Sequence, residues 1–221
     1  MIKFLNDIRN VEKPISNNRK IINTIAVLFL GIALGTFSKF LDFRQAELPS
    51  VLMAIDGALD VHNFLGRFAI WVLIALCISI YSNSATRASV NVFAFFVGML
   101  IGYYVWTSVF AGFYPDIPYL MRWLILAVVS PFLAFLIWYA RGRGALAIGI
   151  SSVLIAIFCC FAFNLNFADF RILYFPEFIL WLASIGILFK DVKQSAFSLL
   201  ISIPVALSLE YTGLLGIIGI G

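Results

Sequence analysis

Seven long apolar runs separated by short polar connections account for most of the chain. They fall near 21–40, 64–82, 90–111, 119–140, 145–164, 175–189 and 197–220. Most reach the roughly 20 residues that a helix needs to cross about 30 Å of hydrocarbon. The pattern predicts an all-α polytopic integral membrane helix bundle of seven spans. Two runs are irregular. The stretch 175–189 is short unless it begins near Ile172, and 197–220 is interrupted by Glu210 and several glycines. Losing one of them gives six spans.

Ahead of the first run, residues 1–20 place Ile2, Phe4, Leu5, Ile8 and Val11 at helical spacing against Lys3, Asp7 and Arg9. This reads either as a short amphipathic helix on the membrane surface, ended near Pro14, or as a basic tail. The domain reading is a cytoplasmic N-terminal segment, 1–20, and one transmembrane helical domain, 21–221. No small-residue cleavage site follows the first run, so the first helix is expected to stay in place.

Between the first two runs lies the longest charge-bearing segment, Lys39 to Arg67. Within it Pro49 suits a first helical turn, and Val51, Leu52, Ile55 and Leu59 share a face. A short surface helix near 49–60 is expected at the outer side.

Composition turns this pattern into a class. The chain is 63% hydrophobic and only 12% charged, where soluble domains carry about 25% charged residues. So much apolar surface cannot be hidden in one small water-soluble core, and the bilayer is the solvent. The net charge of +4 therefore speaks of orientation and not of nucleic acid. With the N-terminus inside, ten basic residues fall on the inner side and five on the outer, as the positive-inside rule requires. Cys77, Cys159 and Cys160 all lie in apolar runs and read as small apolar residues.

Candidate chemistry is sparse. Glu210 is expected about 20 Å along a last helix that starts near Phe197, inside the outer half of the hydrocarbon. An ionised carboxylate there needs a partner, and Arg122, Arg67 and Lys39 stand near outer helix ends. Tyr103, Tyr104, Trp106 and Thr107 on the third span, with Ser108, Tyr114 and Tyr119 beyond, could line a vestibule for a cationic or polar solute. Asp56, Asp60 and His62 form a second, weaker group: two carboxylates one helical turn apart and an imidazole could hold a metal ion or move protons. Their spacing matches no specific signature. Gly31 and Gly35, and again Gly98 and Gly102, make G-x-x-x-G pairs suited to packing within the chain.

No phosphate-binding loop, nucleophile elbow, H-E-x-x-H motif or dinucleotide loop is present, so no cofactor is implied. The reading that follows is a plasma-membrane protein, either a small-solute transporter or the membrane subunit of a transport complex. Its site would combine Glu210, Arg122, Arg67, Tyr103, Tyr104, Trp106 and Thr107. The alternatives are a membrane-embedded enzyme acting on a lipid or head group, and an accessory, immunity or sensor protein with no site of its own. The partners expected are the lipid bilayer, a small solute and, for the transport complex, another subunit.

Overall fold

The computed structural model describes residues 7–11, 15–44, 49–112, 117–166 and 168–217. Among the described residues from Asn17 on, ten helices and one hairpin of two-residue strands follow in order. They are α1 (Asn17–Arg44), α2 (Ser50–Leu59), α3 (Val61–Gly66), α4 (Phe68–Tyr81), α5 (Ala85–Trp106) and α6 (Ile117–Trp138). After these come α7 (Ala145–Ala162), strands β1 (Phe163–Asn164) and β2 (Arg171–Ile172), then α8 (Phe175–Leu188), α9 (Val192–Thr212) and α10 (Leu214–Ile217). A π turn, Thr107–Ala111, prolongs α5, and a 3-10 turn, Tyr139–Arg141, prolongs α6. Among the described residues five helices are long and apolar enough to cross a membrane, namely α1, α5, α6, α7 and α9. The other two apolar helices, α4 and α8, have 14 residues each. The all-α bundle is therefore as expected, with five full-length members and two short ones.

The surface is inside out relative to a water-soluble protein. Ile22, Phe29, Ile125, Val128, Phe132 and Leu200 are exposed, Phe132 to 72%, while Ser79, Asn91, Thr107, Ser151, Ser152 and Ser184 are buried. Lipid tails solvate the first set as well as a protein core would, and the second set hydrogen-bonds inside the bundle. Ser130 illustrates how this is arranged. Pro131, inside α6, has no N–H to give the carbonyl of Ala127, and the Ser130 hydroxyl donates to that carbonyl instead, at 2.9 Å.

Helix α4 is the hub. Trp71 and Ala75 face a core shared with α1, α5 and α6, whereas Ala69, Leu76 and Ile80 face a second core shared with α7 and α8. It is apolar all round, as a helix buried on every side must be. Helices α1 and α5 run parallel and make the closest crossing. A methyl group added to Gly31 or Gly35 would fall on the backbone of Phe95 or Met99, and one added to Gly98 or Gly102 on that of Leu28 or Ile32. Both G-x-x-x-G pairs thus face each other across one interface inside the chain.

We call the end that carries residues 7–11 the inner end. There Ile8 is buried and its carbonyl accepts the Arg143 amide at 2.8 Å. Arg9 lies 4.2 Å over the Trp138 ring and donates to the carbonyls of Trp138 and Ile80 at the ends of α6 and α4. Residues 1–6 and 12–14 of the basic segment lie outside the described residues.

Candidate functional site

At the outer end, where α3 packs against α1, stand α2 and α3, the surface helix expected near 49–60 and its continuation. The two meet at Asp60, whose left-handed backbone (φ 52°) is the one positive φ of a non-glycine residue among those described. Such a conformation costs about 1–3 kcal/mol and persists only where the surroundings hold it. Here the Asp60 carboxylate accepts from the Asn63 amide at 2.7 Å and from Arg67 Nη1 at 3.3 Å.

Arg67 also donates through Nε to the carboxylate of Glu177, and its guanidinium lies 4.2 Å over the Tyr174 ring. Each partner opens one of the 14-residue helices: Arg67 is the residue just before α4, and Glu177 stands in the first turn of α8. A helix of 14 residues rises about 21 Å, some 9 Å short of a hydrocarbon layer. The ion pair therefore joins the openings of two short helices, and its carboxylate is buried, Glu177 being 1% exposed. Its hydrogen bonding is incomplete. Arg67 Nη2, Glu177 Oε2 and, one turn along α8, Trp181 Nε1 are buried without a hydrogen-bond partner among the described residues.

Beside this pair lies a cavity of 130 Å³, lined by Gly35, Ser38 and Asp42 of α1, Asn63, Leu65 and Gly66 of α3, Trp71 of α4, Met99, Leu100, Tyr103 and Tyr104 of α5, and Trp123 of α6. Two indoles and two phenols make walls that are apolar in area and polar at their tips. Trp71 Nε1 is held by the Leu65 carbonyl at 2.9 Å, and its ring meets Trp123 edge-on. Lys39, buried next to this wall, pairs with Asp42 and lies 5.2 Å from the Tyr103 ring. An apolar cavity of about 150 Å³ admits benzene, so this one fits a molecule of about half a dozen heavy atoms. Asn63 belongs to the cavity wall and to the Asp60 cluster at once. A continuous polar chain, Asn63–Asp60–Arg67–Glu177, thus links the cavity to α8.

The residues expected from the sequence are distributed unevenly over this geometry. Tyr103 and Tyr104 line the cavity, and Arg67 adjoins it. Trp106 turns toward α1, where it meets Phe40 and Phe43, and buried Thr107 returns its hydroxyl to the Tyr103 carbonyl. Arg122 is exposed, because one step along α6 turns a side chain by about 100° and it is Trp123 that faces inward. Glu210 is exposed as well and lies beside Leu165, Asn166, Ser208 and Tyr211. Arg67 takes Glu177 and Asp60 as its carboxylates, not Glu210. The reason is where α9 starts. Asp191 caps it by accepting from the Gln194 amide at 2.9 Å, so the helix begins at Val192, and Glu210 comes about 27 Å along it, in the last turn before Gly213.

Asp56 is buried on α2 and Asp60 is engaged as above. The His62 side chain, Tyr114, Asp116 and the Tyr119 side chain lie outside the described residues. Among the described residues no three His, Cys, Asp or Glu side chains gather as a metal site. Glu177, Asn63, Trp71 and Trp123 are not among the site residues expected from the sequence. Glu177 and Arg67 are each the one charge within an apolar run, but so are Glu210 and Arg122, so this signal does not choose the pair. Comparison with family models, with curated proteins and with solved structures finds no match to this chain.

Proposed function

We propose that the protein is a seven-span membrane protein, N-terminus in the cytoplasm, that binds and passes a small polar solute through the outer cavity. It would do so as a plasma-membrane transporter or as the membrane subunit of a transport complex. The observation that carries the reading is the cavity itself: a polar-tipped aromatic chamber between helix ends, tied by Asn63 and Asp60 to an incompletely bonded ion pair whose carboxylate is buried. Buried charge in a membrane bundle is costly and marks substrate paths more often than scaffolding. The chamber favours a neutral or cationic solute of about six heavy atoms that can donate to Asp42 and stack on an indole. No covalent step is required. The polar chain supplies a way for occupancy at Asn63 to be felt at the α4–α8 contact, which is what alternating access demands. Asp60 accepts from at least Asn63 and Arg67, and this arrangement supports a positioning role over acid–base work.

Trp71 and Trp123 report directly on occupancy. Protein reconstituted in vesicles is expected to change its tryptophan emission in a saturable way with one member of a panel of small amines, amides and polyols, and to take up that member. Gly66 offers a clean block, because a side chain there meets nothing within 4 Å and yet stands at the cavity wall. Gly66→Leu should fold normally and lower the affinity by about tenfold or more, the usual cost of obstructing a fitted contact by ~1.4 kcal/mol or above. Uptake and emission change that are indifferent to Gly66→Leu and to Trp123→Ala would end this reading.

A further inference from the structure

At the opposite end of the bundle a second, larger cavity of 520 Å³ is lined by Asp7, Ile8, Arg9, Asn10, Ile80, Tyr81, Arg141, Gly142, Arg143 and Lys190. Four basic side chains meet there against one carboxylate. They come from three separate parts of the chain: the docked N-terminal segment, the Arg141–Gly144 loop after α6, and the α8–α9 connection. The fold holds them together on purpose-built backbone. Gly144 takes a left-handed turn (φ 86°). Gly142 lets the segment pass so closely that any side chain would strike Ile8, and the Arg143 amide then clasps the Ile8 carbonyl. Gln194 of α9 reaches back to the Gly142 carbonyl at 3.3 Å.

Arg9 is committed to the carbonyls of Trp138 and Ile80 and forms a fixed wall. Arg141 stands 5.9 Å from the Tyr81 ring. Among the described residues neither Arg141, Arg143 nor Lys190 has a carboxylate within ion-pair distance. Like charges gathered in a concavity repel one another and raise the local concentration of anions. A general excess of inner basic residues accounts for orientation, yet it does not require three chain segments to converge on one hollow.

We infer that this hollow binds a phosphate-bearing anion, with Arg141, Arg143 and Lys190 around the phosphate and Arg9 behind it. Guanidinium forks suit phosphate oxygens, and a lysine adds a point charge. The volume exceeds that of a bare phosphate and leaves room for the glycerol part of a lipid head group. Basic hollows at helix ends on the cytoplasmic side are suited to anionic lipid heads, whereas the choline of a zwitterionic lipid would be repelled. A lipid head there would tie the N-terminal segment, the α6–α7 loop and the α8–α9 connection into one unit.

The test uses the full chain in nanodiscs of phosphatidylcholine with and without phosphatidylglycerol, read by native mass spectrometry of retained lipid, and in pure phosphatidylcholine with inorganic phosphate read by calorimetry. Arg143→Gln/Lys190→Gln removes two exposed cations outside the helices, and Arg171→Gln removes an exposed one at the other end. Selective retention of phosphatidylglycerol is expected, reduced about tenfold or more in the double variant and unchanged in Arg171→Gln. Saturable binding of inorganic phosphate, lost in the same double variant, would support the site with a soluble source for the same chemistry. Absence of both preferences, or equal loss in Arg171→Gln, would overturn it. These readouts are independent of the outer cavity.

Discussion

Replacing Arg67 with Gln is expected to destabilise the protein by about 3–5 kcal/mol, the cost of leaving a buried charge without its partner. Glu177 is 1% exposed and already holds one oxygen without a hydrogen bond. Removing the guanidinium would take from this buried carboxylate the donor that now serves it, and would also release Asp60 from a contact that holds its left-handed turn. The paired change Arg67→Met/Glu177→Leu should recover most of the loss, since a buried ion pair replaced by apolar groups of similar size is often close to neutral in stability. Thermal unfolding of the purified variants in one detergent measures both. If the double variant is as stable as the parent but binds no solute, the ion pair serves the function of the bundle and not its cohesion. A single variant as stable as the parent would mean that Glu177 is not in fact desolvated.

The second large effect is expected at the α1–α5 crossing. Gly98→Leu puts four carbons where the Leu28 carbonyl stands, and the obstacle is backbone, which cannot rotate aside. Overpacking a core typically costs about 1–3 kcal/mol when side chains can give way. Here the two helices must separate instead, and α5 carries Tyr103 and Tyr104 of the cavity with it. Gly98→Leu should therefore abolish monodisperse elution after solubilisation, while Gly149→Leu, where a side chain meets nothing within 4 Å, should behave like the parent. Equal behaviour of the two variants would show that the crossing tolerates a wider gap.

What could be read from the chain alone was whatever repeats along it. Apolar runs marked each helix, and the glycine spacing at 31/35 and 98/102 marked the intimate interface, because both signals are local. The phenols of Tyr103 and Tyr104 were legible for the same reason, since neighbours on one helix carry a shared location. Pairings across the chain were not legible. Arg67 lies 110 residues from Glu177, and no local feature near Arg67 distinguishes Glu177 from Glu210 as a partner. The choice turned on the start of α9, where one capping carboxylate, Asp191, begins the helix five residues earlier than Phe197 and lifts Glu210 to its far end. A similarly small displacement separates Arg122 from Trp123: adjacent in sequence, they differ by a third of a helical circumference, enough to send one outward and the other into the cavity wall.

The brevity of α4 and α8 carries a consequence for the surroundings of the protein. Helix α4 is enclosed, but α8 presents Phe175, Ile179 and Leu182 outward, a helical apolar face only about 21 Å tall. Bilayers deform to match the apolar height of what they contain, at a cost of fractions of a kcal/mol per ångström. With α8 placed as a span, as proposed, the membrane beside it is expected to thin on that flank, and lipids with short or kinked tails to collect there in preference to saturated long ones.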